Sequence, residues 1–252
     1  MKISACVICL NEEKNIGRCL KSLDWCDEII VVDSGSTDDT LDIARAHTDK
    51  IHEQPWLGYG GQKEFAWSKA KNEWIFWVDA DEVVTPELRE EIRTRIEAGD
   101  LPAGFQTPRM VWYLGRWIRH GDWYPDYKLR LFRLDRSRIV NPTIHERVEV
   151  DGRVERFKNP LEHYTYENVS HQIRTWNTFT TLMAEDMHQR GRRFRWTDIL
   201  FRPPWKFIRM YLLKAGFLDG FAGFAAASVS MFGSFEKYLK LRELELDARS
   251  KD

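Results

Sequence analysis

Two aspartates close an apolar and aromatic run in the stretch WIFWVDADEVV, which extends from Trp74 to Val84. Asp79 and Asp81 form the pair, and Glu82 follows directly. If the backbone stays extended, side chains two apart project to the same side, so the two carboxylates repel each other. A divalent cation relieves this repulsion, since Mg²⁺ binds one or two carboxylates together with substrate phosphates. For such a pair taken alone, a solvated turn whose acids cap a helix is the ordinary interpretation, and a cation and phosphate site is the alternative, which the position of the pair in the fold favours.

Three other interpretations of these acids can be compared with the sequence. A calcium-binding EF-hand loop needs glycine at its sixth position, where Val84 stands. A dinucleotide-binding fold needs GxGxxG after the first strand, and CLNEEKN has no glycine. The phosphohydrolase motif DxDx(T/V) does match DADEV, with Asp79 as nucleophile and Asp81 as acid and base. That motif is expected after the first strand, whereas two strand–helix units come before it here.

The elements that must position these acids alternate between strand and helix. Apolar runs predict strands at Ile3–Leu10, Glu28–Asp33 and Trp74–Val78, each followed by a helical pattern. Repeated units of this kind predict an α/β fold with a parallel, doubly wound sheet covered on both faces. Ligands of such sheets bind beyond the carboxyl ends of the strands. The polar residues expected to gather there are Asn11, Glu12, Asp33, Asp79 and Asp81.

Capping residues predict where the helices begin. Asn11 is expected to cap the first helix, and Ser36 or Thr37 the second. Thr85, followed by Pro86, predicts the start of another helix, because proline is favoured at the first helical position.

The pattern changes after residue 100. Strands are predicted at Gly104–Met110 and Lys128–Leu134, and a helix follows Val169. We therefore expect a catalytic domain over residues 1–168 and a helical extension over residues 169–252.

A family resemblance rests on three motifs in order: ACVICLNEEKNIGRCLKSL, EIIVVDSGSTDDT and WVDADE. They resemble family 2 glycosyltransferases, which have the GT-A fold, a Rossmann-like and mostly parallel sheet flanked by helices. Later stretches, YPDYKLRLFR, IHERV and RPPWKFIRMYLLKAGFLDGFAGF, resemble bacterial lipopolysaccharide-core glucosyltransferases that add β-1,4-glucose to inner-core heptose. The resemblance implies an inverting, metal-dependent transferase that moves a hexose, glucose from UDP-glucose, onto a lipid-linked acceptor.

The resemblance also implies roles around the donor. Asp33 matches the acid that contacts the uracil base, and Asn11 and Glu12 match the segment that lines the nucleoside. Lys63, in GGQKEFA, is expected to approach a phosphate or the donor, against the alternative of a solvated helix lysine.

For the cation, Mg²⁺ or Mn²⁺, the resemblance implies that Asp79 lies near the ribose and that Asp81 binds the metal. His163, in LEHYTY, is expected as a third metal ligand, against the alternative of a structural histidine. Glu82 has no role that the sequence assigns.

Inversion needs a base that removes a proton from the acceptor hydroxyl. Glu146 in IHERV is the preferred residue, with Asp122 and Asp126 in GDWYPDY as alternatives. His145 is expected to orient Glu146, contact a substrate or make a structural hydrogen bond.

Three further residues are expected to line the acceptor site. Trp123 and Tyr124 can stack on sugar rings, and Arg130 suits a phosphorylated heptose. A core position is the alternative for Trp123, since the chain has 11 tryptophans.

The C-terminal extension is basic and amphipathic. Arg190–Lys214 contains eight basic residues and one acid, Asp198, and Pro204–Lys214 written as a helix separates large apolar residues from basic ones. Such a helix is expected to bind an anionic membrane surface, against the alternative of a basic helix packed on the catalytic domain. Gly220–Phe235 is expected either to dip into that interface or to pair with a second subunit.

The composition of the chain limits its possible partners and its compartment. The formal net charge of −1 gives no overall field that favours nucleic acid. All four cysteines lie in the first 26 residues and are expected as free thiols, which suits a reducing compartment. No signal peptide and no run of about 18 apolar residues is expected. These features predict a cytoplasmic protein, and the basic extension together with the resemblance implies a peripheral position on the cytoplasmic face of the inner membrane.

Two other functions stay open at this point. One is the DxDx(T/V) phosphohydrolase, which would form an aspartyl-phosphate on Asp79. The other is a membrane adaptor without catalytic activity, which would bind lipid through Arg190–Lys214.

Overall fold

The computed structural model describes residues 1–140 and 147–249, which fall into two units. The first unit contains Met1–Met110 and Asp126–Tyr164, and the second contains Val111–Pro125 and the chain from Thr165 onward. The second unit thus takes in a short segment, Val111–Pro125, that lies far from the helices in sequence.

In chain order the strands are β1 (Ile3–Cys9), β2 (Glu28–Asp33), β3 (Ile51–Glu53), β4 (Trp74–Trp77), β5 (Glu82–Val84), β6 (Gly104–Tyr113), β7 (Arg116–Trp117), β8 (Asp126–Arg133), β9 (Ser137–Val140), β10 (Arg147–Val150), β11 (Val154–Arg156) and β12 (Leu161–His163). The helices are α1 (Ile16–Lys21), α2 (Thr40–Arg45), α3 (Gly58–Ser68), α4 (Pro86–Glu97), α5 (Val169–Gln189), α6 (Trp196–Ile208) and α7 (Gly220–Arg249).

The main sheet is parallel at one side and antiparallel at the other. Its strand order is β3-β2-β1-β4-β8-β6-β12-β5, and β1 to β4 pair in parallel as the sequence predicts. Strand β8 then pairs antiparallel with both β4 and β6. A residue of β8 therefore sits in the middle of the sheet, beside the strand that carries the two aspartates.

Both faces of the parallel strands are covered by apolar side chains. Ala5, Val7 and Phe76 pack on one face with residues of α1 and α4. Cys6 and Trp77 pack on the other face with residues of α3. This alternation is the reason that the strands read as continuous apolar runs. The four cysteines are free thiols, as predicted.

The predicted helix starts are partly wrong. Thr85 does cap α4, since its hydroxyl accepts the Leu88 N–H at 3.1 Å. Asn11 instead has a φ of 55° and its side-chain oxygen accepts the Thr37 N–H. These short polar side chains link the turns after β1 and β2 rather than cap a helix, so α1 and α2 begin later than predicted, at Ile16 and Thr40.

The second unit is helical. Pro204, from which the sequence was written as a helix, lies inside a helix that begins at Trp196, where the Asp198 carboxylate accepts the Arg195 N–H and fixes the first turn. Pro203 and Pro204 lie inside α6, and a π-helical turn follows at Arg209–Leu213. A 3₁₀ turn, Gly216–Asp219, leads into α7.

One helical segment, Gly216–Ala248, is long and apolar enough to span a membrane, contrary to the expectation that none would be. Within this segment 44% of the most apolar 18-residue window is buried by packing in the protein. Length and composition alone are weak evidence for a span, since a packed core helix has the same properties.

Two carboxylates, of which Asp219 is buried and Asp122 is partly buried, hold Val111–Pro125 to the helices of the same unit. Asp219 accepts the backbone N–H groups of Arg119 and His120 at 3.0 and 2.8 Å. Asp122 pairs with Lys206, Arg209 and Lys214 at 2.6 to 2.9 Å. This explains why the segment belongs to the helical unit.

Candidate active site

The two aspartates lie in a turn between β4 and β5. All four residues of β4 are buried, and Val78 continues the pairing by donating its N–H to the Cys6 carbonyl at 3.1 Å. The Glu82 N–H then donates to the Asp79 carbonyl at 2.9 Å and closes the turn. The aromatic run thus anchors the acidic turn at the carboxyl end of a central strand.

Asp79 is neutralised by the protein itself. Its Oδ2 accepts a hydrogen bond from Arg130 Nη2, and Arg109 Nη1 is 3.9 Å away. Burial by itself raises the pKa of Asp79, but the charges of Arg130 and Arg109 overcome this and hold the pKa well below its usual range. Asp79 is therefore an ionised carboxylate whose charge is already balanced.

Arg130 does not lie where the sequence predicted. Arg130 is only 4% exposed, and its Nη2 donates hydrogen bonds to both Asp79 and Glu82. A guanidinium that is buried and bonded to two carboxylates is poorly placed to bind an acceptor. The prediction of Arg130 as an acceptor-binding residue is corrected: it supports the aspartate turn from within.

Glu82, which had no assigned role, is fully buried beside this arginine. One carboxylate oxygen accepts from Arg130 and the other accepts the Asp79 N–H at 3.0 Å. Arg109 Nη1 is 3.5 Å from the first oxygen. Burial raises the pKa of Glu82 above its usual range, and the neighbouring Arg130 only partly offsets this.

Asp81 has a different partner, His163. Strand β12 pairs antiparallel with β5, with His163 opposite Glu82 in register, and the Tyr164 N–H donates to the Asp81 carbonyl at 2.9 Å. This pairing brings His163 Nε2 to 3.1 Å from Asp81 Oδ2. The Asp81 and His163 side chains keep 21% and 10% of their surface exposed.

The Asp81 and His163 pair fits part of a cation site. A carboxylate oxygen and an imidazole nitrogen at hydrogen-bond distance are two donors that one ion can share. Among residues 1–140 and 147–249, no group of three His, Cys, Asp or Glu side chains forms a complete metal site. A cation held by this pair would take its further ligands from elsewhere, and a bound phosphate and water are the usual ones for Mg²⁺.

The turns after β1 and β2 are joined to each other. Asp33 is fully buried, and its Oδ2 accepts the N–H groups of Gly35 and Ser36 at 2.8 Å each. The Ser36 hydroxyl accepts the Asn11 N–H, and the Glu12 N–H donates to Thr40 Oγ1 at 2.7 Å. In this structure Asp33 shapes the turn, and its contact with a base stays a prediction.

Lys63 lies on α3 near Asp79. Its Nζ is 5.2 Å from the centre of the Trp77 ring, and its charge contributes, after the two arginines, to the lowered pKa of Asp79. This places a positive charge beside the acidic turn, while the predicted approach of Lys63 to a phosphate or the donor stays a prediction.

Two of the proposed bases are already paired. Burial by itself raises the pKa of Asp122, but hydrogen bonds from Lys206, Arg209 and Lys214 hold it well below its usual range. A carboxylate of such low pKa is a weak base, so this environment disfavours Asp122 in catalysis. Asp122 instead holds its loop to the helical unit.

Asp126 belongs to the same unit as the aspartate turn. It pairs with Arg109 and Lys128, and these charges lower its pKa although burial opposes them. Arg109 thus bridges Asp126 and Asp79, which makes Asp126 a neighbour of the turn. Glu146, the preferred base, and His145 lie outside the described residues.

Trp123 packs within the second unit. Its ring contacts those of Tyr113 and Tyr166, and its N–H donates to the Ser230 hydroxyl at 3.2 Å. This supports the alternative of a core position for Trp123. Tyr124 adjoins it on the same loop and stays a prediction for the acceptor site.

Sequence reasoning did not identify Arg109 and did not foresee the burial of Arg130. Arg109 lies on a strand whose other residues are largely apolar or buried, and Arg130 lies between two leucines, Leu129 and Leu131. A charge inside such a strand needs a buried partner, and this was the available signal. The partner itself could not be named without the order β4-β8-β6.

Comparisons with known proteins place the chain in a family. The sequence profile described as "Glycosyl transferase family 2" matches residues 4–150, more than half of the chain. The lipopolysaccharide core biosynthesis glycosyltransferase LpsC of Rhizobium meliloti is 32% identical over 242 residues, which are 93% of this chain and 90% of LpsC. An uncharacterized glycosyltransferase of Rickettsia typhi is 31% identical, and the match covers 99% of this chain and 89% of the Rickettsia protein.

A solved structure of S. aureus TarS residues 1–349, in complex with UDP-GlcNAc, is similar in fold. The TM-score is 0.50 at 14% identity, over 100% of this chain and 93% of that one. At this identity the likeness concerns the fold alone, and the predicted GT-A fold class is confirmed. The profile and relatives do not favour the alternative of a DxDx(T/V) phosphohydrolase. With a profile match over more than half its length and relatives above 30% identity, the chain belongs to glycosyltransferase family 2.

Proposed function

We propose that the enzyme is an inverting, metal-dependent hexosyltransferase that moves glucose from UDP-glucose onto a lipid-linked glycan. The inner-core heptose of lipopolysaccharide is the expected acceptor. The name of LpsC, which refers to lipopolysaccharide core biosynthesis, supports this substrate class. The resemblance of the later motifs to core glucosyltransferases supports glucose as the sugar.

The observation that carries the proposal is the different pairing of the two aspartates. Asp79 is balanced by Arg130 and Arg109, whereas Asp81 faces only a histidine ring in the described surroundings. A cation is therefore attracted to Asp81 and His163, and Asp79 is free to orient a donor hydroxyl with its other oxygen. An imidazole ligand favours Mn²⁺ over the harder Mg²⁺.

Each side chain then has one task in the proposed reaction. Asp81 and His163 hold the cation, which stabilises the charge of the departing nucleoside diphosphate. Lys63 adds a positive charge on the phosphate side, and Asn11 and Glu12 line the nucleoside. The turn that Asp33 shapes completes the nucleoside pocket.

A base must remove the proton of the acceptor hydroxyl as it attacks the anomeric carbon from the face opposite the leaving diphosphate. Glu146 is proposed for this role. Asp126 is the alternative among the described residues, although its pairing with Arg109 and Lys128 weakens it as a base.

The helical extension is proposed to bind the cytoplasmic face of the inner membrane, where a lipid-linked acceptor lies. Trp196 and Phe221 are each 75% exposed, and other large apolar side chains of α6 and the turns after it are also exposed. Surfaces of this kind mark sites of interaction with membranes or proteins. Pairing with a second subunit through α7 stays the alternative.

The basic residues of this extension contribute less free charge than their number indicates. Six of the eight basic residues in 190–214 pair with a carboxylate: Arg190, Arg192, Arg202, Lys206, Arg209 and Lys214. Membrane binding is therefore proposed to depend more on the exposed apolar side chains than on attraction to anionic lipid.

A panel of nucleotide sugars tests the proposed function. The purified protein is mixed with each sugar in the presence of Mn²⁺, and its melting temperature and the slow hydrolysis of the donor are measured. The proposal predicts the largest shift and hydrolysis with UDP-glucose, both removed by EDTA. Equal responses to all nucleotides, or phosphate release from simple phosphoesters without a nucleotide sugar, would contradict it.

A further inference from the structure

Glu82 closes the aspartate turn from both ends. Its backbone N–H donates to the Asp79 carbonyl at 2.9 Å, and its side-chain Oε2 accepts the Asp79 N–H at 3.0 Å. These two reciprocal bonds fix the first and last residues of a four-residue turn. Glu82 is fully buried. A glutamate that only capped a helix or faced solvent would be exposed.

The turn is also held from the neighbouring strand. Glu82 lies opposite His163 in the β5–β12 register, and the Tyr164 N–H donates to the Asp81 carbonyl at 2.9 Å. Asp81 is therefore fixed on one side by β12 and on the other by the bonds of Glu82. The 3.1 Å separation of Asp81 Oδ2 and His163 Nε2 depends on both constraints.

Charge supplies a second effect. The Oε1 atom of Glu82 accepts from Arg130 and is 3.5 Å from Arg109 Nη1. Without the carboxylate, Asp79 would be the only acid of the turn bonded to Arg130. The positive charges of Arg130 and Arg109 would then be less well balanced. This excess charge would lie beside the turn that carries Asp81 and would oppose the binding of a divalent cation.

Glutamine cannot replace this carboxylate without loss. Glu82 accepts one hydrogen bond on each oxygen, from Arg130 and from the Asp79 N–H. An amide has one oxygen and an NH₂ group, so it would set a donor against one of these two donors. Aspartate keeps the charge but is one methylene shorter, so it cannot reach both.

We propose that Glu82 is a positioning residue, which acts through the Asp79 amide and through Arg130 to hold Asp81 where it shares a cation with His163. This inference rests on the proposed function, because the cation and the nucleoside diphosphate belong to that reaction. Residues that orient metal ligands typically change metal affinity about 10- to 100-fold when they are replaced.

Calorimetric titration of Mn²⁺ into UDP-saturated protein tests the inference. The variants are Glu82→Asp and Glu82→Gln, and the matched control is Glu28→Gln. Glu28 is also buried and accepts from Ser4, Lys50 and the Lys71 N–H, but it lies at the opposite end of β2 from Asp33. Melting temperatures and the affinity for UDP in EDTA are measured on the same samples.

Both Glu82 variants are expected to raise the Kd of Mn²⁺ by about tenfold or more, with a smaller change in UDP affinity in EDTA. Glu28→Gln is expected to lower the melting temperature and leave the Kd of Mn²⁺ unchanged. If Glu82→Gln does not fold, the Kd of Mn²⁺ in Glu82→Asp provides the test, because this variant keeps a charge opposite Arg130.

If the Glu82 variants bind Mn²⁺ with the same Kd as the wild-type protein, the positioning role is overturned. The same follows if Glu28→Gln weakens Mn²⁺ binding as much as Glu82→Gln does, since the effect would then be one of stability. If the wild-type protein binds no Mn²⁺ with UDP, the proposed function fails first and the inference fails with it.

Discussion

Replacing Arg130 with methionine should destabilise the protein strongly. Arg130 is 4% exposed, and its Nη2 donates to both Asp79 and Glu82. Methionine fills a similar volume but leaves both carboxylates without their closest cation. The cost thus comes from two acids left beside each other in a buried turn, rather than from a cavity.

The magnitude follows from the remaining partners. Removing one member of a buried ion pair costs about 3–5 kcal/mol. Arg109 stays at 3.5 Å from Glu82 and 3.9 Å from Asp79 and still balances part of the charge, so the lower end, about 3 kcal/mol, is expected. For a chain of this size each kcal/mol lowers the melting temperature by about 2–4 °C, which gives a decrease of about 6–12 °C.

Thermal unfolding followed by circular dichroism measures this decrease. The control is Arg133→Met on the same strand, whose pair with Asp135 is reached by solvent and should contribute little to stability. The double variant Glu82→Gln with Arg130→Met removes both charges of one buried pair and should regain part of the loss. Equal melting temperatures for Arg130→Met and Arg133→Met would refute the reasoning.

Three further predictions concern the cation, the base and the membrane. His163→Ala should raise the Mn²⁺ concentration needed for donor hydrolysis by about tenfold and change the Mg²⁺ requirement less; an equal change for both ions would contradict the imidazole ligand. Glu146→Gln should lower glucosyl transfer by about 10²–10⁴-fold at unchanged UDP affinity, and the same loss in Asp126→Asn alone would move the base to Asp126. Trp196→Ser with Phe221→Ser should lower the affinity for anionic vesicles, measured by sedimentation, by at least about a hundredfold, since each of these aromatic side chains, roughly 200 Å² in area and 75% exposed, contributes up to about 4 kcal/mol when it is buried in lipid; undiminished binding would contradict apolar contact with lipid.

Local patterns in the sequence were enough to predict the strands beside the site. The runs that became β1, β2 and β4 are apolar on both faces, and Thr85 with Pro86 marked the start of α4. The carboxyl ends of the strands in a parallel sheet meet at one edge. Asn11, Asp33 and Asp79 could therefore be expected near one another as soon as a parallel sheet was predicted.

The partners across the sheet could not be predicted in the same way. Asp79 and Arg130 are 51 residues apart, and Asp81 and His163 are 82 apart. Their contacts depend on β8 lying between β4 and β6 and on β12 pairing with β5. A short polar side chain also has several local choices, which is why Asn11 links two turns instead of capping α1.

The charge of the C-terminal pattern could not be judged from the sequence for a related reason. Lys206, Arg209 and Lys214 lie on one side of a helical projection, which indicates a face for anionic lipid. In the fold this side meets Asp122, a residue 84 positions before Lys206. A projection of one helix cannot show a charge that another segment supplies.

The most direct test of the central claim is the affinity of Asp81→Asn for UDP with and without Mn²⁺. The side chains of Asp81 and His163 are the proposed ligands, so the variant should lose the increase in UDP affinity that Mn²⁺ gives. Its UDP affinity in EDTA and its melting temperature should match those of the wild-type protein. An undiminished effect of Mn²⁺ on UDP binding in Asp81→Asn would contradict the assignment of the cation to Asp81 and His163.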